Sequence, residues 1–140
     1  MKILLAVDGS KYTKKMLAYL TTHEELFGAH NSYTLLTVTP QLPPRARSAV
    51  GKEMVDTYHR EEAEKVLSPV SKFLARHGIE PKTLSKVGHA GEIISKAADG
   101  GQFDLLVMGS HGQGTLGNLV MGSVATQVLA NCKVPLLLVR

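Results

Sequence analysis

The sequence predicts a doubly wound α/β fold: an open, five-stranded, mostly parallel sheet with four helices. Three observations predict it. Short apolar runs recur along the chain, at 3–7, 33–38, 104–108 and 135–139. Between them lie longer segments whose apolar residues return with helical spacing, and the runs break at glycine, proline or aspartate. Strand and helix that alternate in this way build a parallel sheet with helices on both faces, because each parallel connection needs a crossover.

The first run, 3–7, is apolar throughout and stops at Asp8-Gly9, as a parallel strand buried on both faces does. Ser10 or Asp8 caps a helix over 11–27 with Met16, Leu17 and Leu20 inward, and Gly28 stops it. The second strand, 33–38, is rich in Thr, Val and Leu. Pro40, Pro43 and Pro44 make 39–50 an irregular loop. A helix follows over 52–77, with Val66, Val70, Phe73 and Leu74 on one face; Pro69 inside it predicts a kink or break. Residues 82–87 read as a third strand. Ala90, Ile93, Ile94, Ala97 and Ala98 give the stripe of a third helix closed by Gly100-Gly101. The fourth strand, 104–108, enters a glycine-rich loop. A fourth helix, 124–131, and a fifth strand, 135–139, complete the chain. The expected strand order is 3-2-1-4-5, Rossmann-like or flavodoxin-like, in one domain over 1–140. In such sheets ligands bind beyond the carboxyl ends of the strands, where the order switches. Those ends carry Asp8, Val38-Thr39 and Gly109.

At 140 residues, with 44% apolar and 20% charged residues, the composition is that of an ordinary globular domain. The net charge is +4, but the basic residues are scattered, Trp is absent and aromatics are few, so nucleic acid is not the expected partner. The single cysteine, Cys132, forms no internal disulfide and lies among apolar residues, a buried structural thiol in a reducing compartment. The first apolar run is too short for a signal sequence or a membrane span. The expected location is cytoplasmic, with no membrane partner.

Residues 109–123 are the most informative stretch. A strand that breaks into glycines and enters a helix has the geometry of a phosphate site. Glycines let main-chain N–H groups approach an anion, and the first amides of the helix lack intrahelical partners. Gly122-Ser123 falls where that helix begins. Gly112 to Gly117 matches the dinucleotide fingerprint G-x-G-x-x-G, but it does not follow the first strand. The fingerprint also wants an acidic residue roughly 20 positions on, and no Asp or Glu follows Asp104. No Gly-Lys-Ser/Thr occurs, which removes the Walker A pattern. Asp8 is suited either to a ribose or indirect metal contact or to a helix cap. His111, between glycine neighbours, reaches a phosphate or projects into solvent. Gly114 and Gly117 supply loop flexibility. The other five histidines show no metal-ligand spacing.

The longer spacing Gly109, Gly112, Gly122-Ser123 resembles the nucleotide-binding signature of the universal stress protein family, in its ATP-binding branch. Val7-Asp8-Gly9-Ser10 and the terminal stretch 134–139 are also similar, so the resemblance covers the whole chain. It implies a stress-response protein that binds ATP or another adenine nucleotide and acts as a nucleotide-dependent switch. It places Val7, Asp8 and Val38 at the nucleotide, the Val38 main chain at adenine. It adds Met108, Gly109, His111 and Gly112 from the fourth strand and loop, and Gly122, Ser123 and Val124 from the fourth helix. Mg²⁺ or Mn²⁺ would accompany the phosphates, with Asp8 as an indirect metal contact. The glycine loop has no lysine and its helix no acid or base, so at most slow ATP hydrolysis is expected and no residue is assigned as catalytic. The last strand should lie at a sheet edge, an apolar pairing liability that a homodimer through 135–139 would cover. The alternatives are a dimeric interaction protein without ligand, and a weak ATPase or phosphotransferase.

Overall fold

The computed structural model describes residues 1–113 and 119–140. Five strands form one sheet: β1 (Lys2–Ala6), β2 (Ser32–Thr39), β3 (Lys82–Val87), β4 (Leu105–Gly109) and β5 (Leu136–Val139). Their order is β3-β2-β1-β4-β5, and every neighbouring pair is parallel. The fold class and the order are those expected from the sequence.

The described residues form six helices where four were expected: α1 (Lys11–Thr21), α2 (Glu24–Phe27), α3 (Pro44–Val50), α4 (Lys52–Ala75), α5 (Ala90–Gly100) and α6 (Ser123–Asn131). The expected helix over 11–27 divides at His23, whose backbone leaves the helical region (φ −126°, ψ 56°) and whose ring bonds the Tyr19 carbonyl (2.7 Å) that its own N–H would take in a continuous helix. Such a bond competes with the helical ladder. The expected loop 39–50 contains α3 because Pro44 occupies a first-turn position, where a missing N–H costs nothing. Pro69 does not interrupt α4. It lies on the exposed side, where solvent can satisfy the carbonyl it leaves without a donor.

β1 is central, and from Ile3 to Ala6 it is buried on both faces. Ile3 and Leu5 face a core built with Met16, Leu17 and Leu20 of α1 and Leu67, Val70 and Leu74 of α4. Leu4 and Ala6 face a second core with Ile94 and Ala98 of α5 and Ala125 and Val128 of α6. That is why the run carries no polar alternation. Beyond α6, Asp99 Oδ1 accepts from the main-chain N–H groups of Lys133 (3.0 Å) and Val134 (3.2 Å), which fixes the approach to β5. Cys132 is half-buried beside the same carboxylate, and burial pushes its thiol pKa up. A thiol held protonated in this way is a packing group. No helix among the described residues is long and apolar enough to cross a membrane.

Candidate functional site

The cleft is made where the sheet's strands run out at different lengths. The β1–β2 register stops at Ala6 opposite Leu36, with one further bond from Val7 N–H to the Leu36 carbonyl. β2 continues to Thr39 along β3 alone. The main chain of Val38 on its β1 side therefore lies beyond the end of that ladder. β1 and β4 separate at the same level, after Ala6 opposite Met108. The chain leaves β1 toward α1 and leaves β4 toward α6, so a cleft opens at the switch in strand order.

Asp8 organises one side. Its Oδ1 accepts from Ser10 N–H (2.9 Å) and from the Thr13 hydroxyl (3.0 Å), an Asx-type turn into α1. Gly9 holds φ +77° inside that turn, a left-handed conformation that suits glycine. Ser10 then caps α1 by accepting from Tyr12 N–H. Asp8 Oδ2 accepts from Gln113 N–H (3.2 Å), and the Gln113 side-chain amide donates to the Asp8 carbonyl (2.6 Å). The carboxylate thus joins the first loop of the chain to the glycine loop more than a hundred residues later. A Cβ on Gly112 would lie 2.8 Å from Asp8 Oδ2, so this close approach needs glycine.

His111 and Ser110 organise the other side. The Leu119 carbonyl can only accept, so His111 Nε2 donates to it (2.7 Å). In the neutral ring Nδ1 then accepts from the buried Ser110 hydroxyl (2.8 Å). The imidazole ties the two described ends of the glycine loop together. Both ring nitrogens are used inside the protein, so any anion here meets main-chain amides before it meets the ring. Gly122 N–H donates to the Ser110 carbonyl (2.7 Å), which brings the start of α6 against the end of β4. Gly122 is the N-cap residue of α6 and offers no side-chain cap. The first turn of the helix therefore presents its amides to the cleft without an acceptor from the cap. Gly114 and Gly117 lie outside the described residues.

The cleft has two chambers. The inner one, about 80 Å³, is lined by apolar side chains, among them Leu36, Val38, Ala90, Ile94, Met108 and Val124. Val7, Asp8, Gly109, His111 and Gly112 close its mouth. The outer one, about 290 Å³, holds Thr37, Thr39, Glu62, Gln113 and Ser123. Together they make a cleft of the size small-molecule sites have. Of the residues expected at a nucleotide, nine line one chamber or both: Val7, Asp8, Val38, Met108, Gly109, His111, Gly112, Ser123 and Val124. Gly122 lines neither, but packs directly behind them against His111 and Gly112. Sequence reading missed Ala90 and Ile94 of α5, which wall the inner chamber, and Thr37 and Glu62, which wall the outer one. The helical stripe of α5 pointed to Ala90 and Ile94 as inward residues, but nothing in it separated pocket from core.

No group of three or more His, Cys, Asp or Glu side chains fit for a metal occurs among the described residues. Asp8 already accepts three hydrogen bonds. A cation here would need most of its oxygens from a bound phosphate and water, the usual situation for Mg²⁺. Asp8 fits an indirect role of that kind.

Fold and site together define a doubly wound α/β protein with a cleft at the strand-order switch, apolar in its inner chamber and bordered by the start of α6. A family model described as the Universal stress protein family matches residues 1–140, and the chain belongs to that family. A curated universal stress protein of Thermus aquaticus is 32% identical over 139 residues, 99% of this chain and 97% of the relative. The solved structure of a Methanocaldococcus jannaschii universal stress protein superposes with TM-score 0.82 at 27% identity, covering 99% of this chain and 94% of the other. Two more distant structures share the fold. A universal stress protein solved in complex with cAMP has TM-score 0.69 at 18% identity, covering 100% and 97% of the two chains. An Arabidopsis thaliana family protein solved with AMP bound has TM-score 0.68 at 16% identity, covering 99% and 90%.

Proposed function

We propose that this protein binds ATP, or another adenine nucleotide, in the two-chambered cleft and acts as a nucleotide-dependent regulatory switch of the cytoplasmic stress response. The observation that carries the reading is the joining of an apolar slot to uncapped helix amides across one carboxylate. The slot between Val38, Ile94 and Met108 takes a flat base, and the exposed main chain of Val38 supplies its polar edge. Asp8 faces the sugar. Gly109, Gly112 and Gly122 carry no side chain to hold the phosphates off, and the first-turn amides of α6 from Ser123 onward meet them, where the α6 macrodipole favours negative charge. Mg²⁺ or Mn²⁺ arriving on the phosphates meets Asp8 through water. The relatives solved with AMP and with cAMP support an adenine ligand. The switch rests on the two described ends of the glycine segment, 109–113 and 119–123: phosphates that bind there would favour one arrangement of the surface around them, and partners would read the change.

The test is to release any co-purifying small molecule by heat, identify it by mass spectrometry, and titrate the emptied protein with Mg–ATP by calorimetry. Recovery of an adenine nucleotide, or saturable binding near one per chain, is the expected result. A protein that is empty and gives no heat with ATP, ADP or AMP would overturn the reading.

The switch would act as a homodimer. β5 is an edge strand, and Leu136, Leu137 and Leu138 stay only half-buried in the single chain. Pairing this edge with the same strand of a second copy satisfies its ladder and covers the leucines. Light scattering at micromolar concentration should return twice the 15.1 kDa chain mass, and Leu137→Lys should return the monomer. A wild-type monomer under these conditions contradicts the arrangement.

A further inference from the structure

From the outer chamber we infer that Glu62 is a specificity-determining residue, which selects nucleotides whose ribose hydroxyls are free and rejects those that carry a phosphate on the ribose ring. The inference rests on the nucleotide reading and deepens it.

The two chambers share Asp8, Val38, Ala90, Gly112 and Val124. With the base in the inner chamber and the phosphates on Gly112 and Ser123, the sugar lies over these shared residues. Its hydroxyl edge then faces the outer chamber. That chamber passes around the end of β2 to the opposite face of the sheet. There it meets Thr37, which is 4% exposed, and Glu62 and Val66 of α4. α4 packs against β2, and the core residues Ala63 and Leu67, each next in sequence to Glu62 and Val66, fix its position.

The charges on this wall have one sign. Among the described residues, the ionisable ones lining the outer chamber are Asp8 and Glu62, both carboxylates, with no Lys or Arg. Lys65 meets Glu62 Oε1 at 2.8 Å, but its side chain is 71% exposed and does not line the chamber. A carboxylate accepts hydrogen bonds from hydroxyl groups, and charge-assisted bonds of this type are the strong ones. A ribose hydroxyl is a donor and suits the wall. A ribose phosphate is an anion with acceptor oxygens only, and meets two like charges in a partly enclosed space. Like charges so placed act against the wrong ligand more than they help the right one.

Two ligands that differ only at this position make the test: AMP, and the AMP analogue with a second phosphate on a ribose hydroxyl. Each is titrated by calorimetry into wild type, Glu62→Gln and, as a control on the same helix, Glu64→Gln, whose side chain is exposed. Wild type should prefer AMP by at least about tenfold. Glu62→Gln should weaken AMP a few-fold and shrink the preference to about threefold or less, while Glu64→Gln keeps the wild-type ratio. Thermal melting of the free proteins separates this from a folding defect, because loss of structure lowers both affinities and leaves their ratio alone. An unchanged ratio in Glu62→Gln, with AMP still bound, overturns the role of Glu62 and leaves the nucleotide site standing. No binding of either ligand to wild type overturns this inference, and where ATP and ADP also give no heat the nucleotide reading falls with it.

Discussion

Gly122→Glu should weaken ATP binding at least about a hundredfold, the equivalent of ~2.7 kcal/mol, while the free protein keeps its fold. Gly122 has φ −71° and ψ 162°, an extended conformation open to any L residue, so the change brings no backbone strain. An added Cβ would lie 3.1 Å from His111 Cα and 3.4 Å from the Ser110 carbonyl, a contact relieved by a shift of a few tenths of an ångström. A carboxylate at the N-terminus of α6 is favourable for the helix, because it meets the positive end of the macrodipole. The same property makes it a competitor. It occupies the amides that the phosphates need and adds a negative charge to the mouth of the cleft. Gly122→Ala brings only the steric part and should cost a few-fold. Calorimetric titration of both variants, with melting curves of the free proteins, checks the pair. Wild-type affinity in Gly122→Glu would place the phosphates elsewhere.

The parts of the molecule that were legible in the sequence are those fixed by neighbouring residues. Runs such as Ile3 to Val7 are buried on both faces, so they carry no alternation and declare themselves as parallel strands. Gly122-Ser123 marks a helix start because caps are local, and α6 begins there. The divided first helix was not legible, because His23 is an acceptable helix residue until its ring takes the Tyr19 carbonyl and its backbone turns out of the helix. Nor was α3, since Pro43-Pro44 reads equally as a break and as a helix start.

The site divides along the same line. Asp8, Val38 and Gly109 stand at or just past strand ends, and strand ends are visible in a sequence. Glu62 is an ordinary helical glutamate by pattern, and becomes a wall of the cleft only because α4 packs across β2. The bonds from Gln113 to Asp8 and from His111 to Leu119 are contacts between residues that no sequence period pairs. Their effect is nonetheless specific. The Gln113 bonds hold the Asp8 carboxylate beside the described start of the glycine loop.

Leu5→Ala should destabilise the protein by about 3–4 kcal/mol. Leu5 is 0% exposed in the central strand, pairs with Leu35 and Val107, and lies in the core that α1 and α4 share. Neighbours on both sides are held by the ladder, so the sheet cannot collapse into the space, and the cost is transfer plus cavity. Urea unfolding should show a lower midpoint with an unchanged slope, the sign of lost stability without a changed unfolded state. Leu129→Ala, at a position 56% exposed on α6, should stay within about 0.5 kcal/mol of wild type. The two leucines differ in effect because β1 is the element that both halves of the fold and both sides of the cleft share. Asp8 follows it directly, and a ligand seated there binds only the folded chain. Saturating ATP should therefore raise the midpoint of Leu5→Ala as it does that of wild type. If it raised wild type alone, the cavity would have disturbed the end of β1, and Leu5 would be part of what positions Asp8.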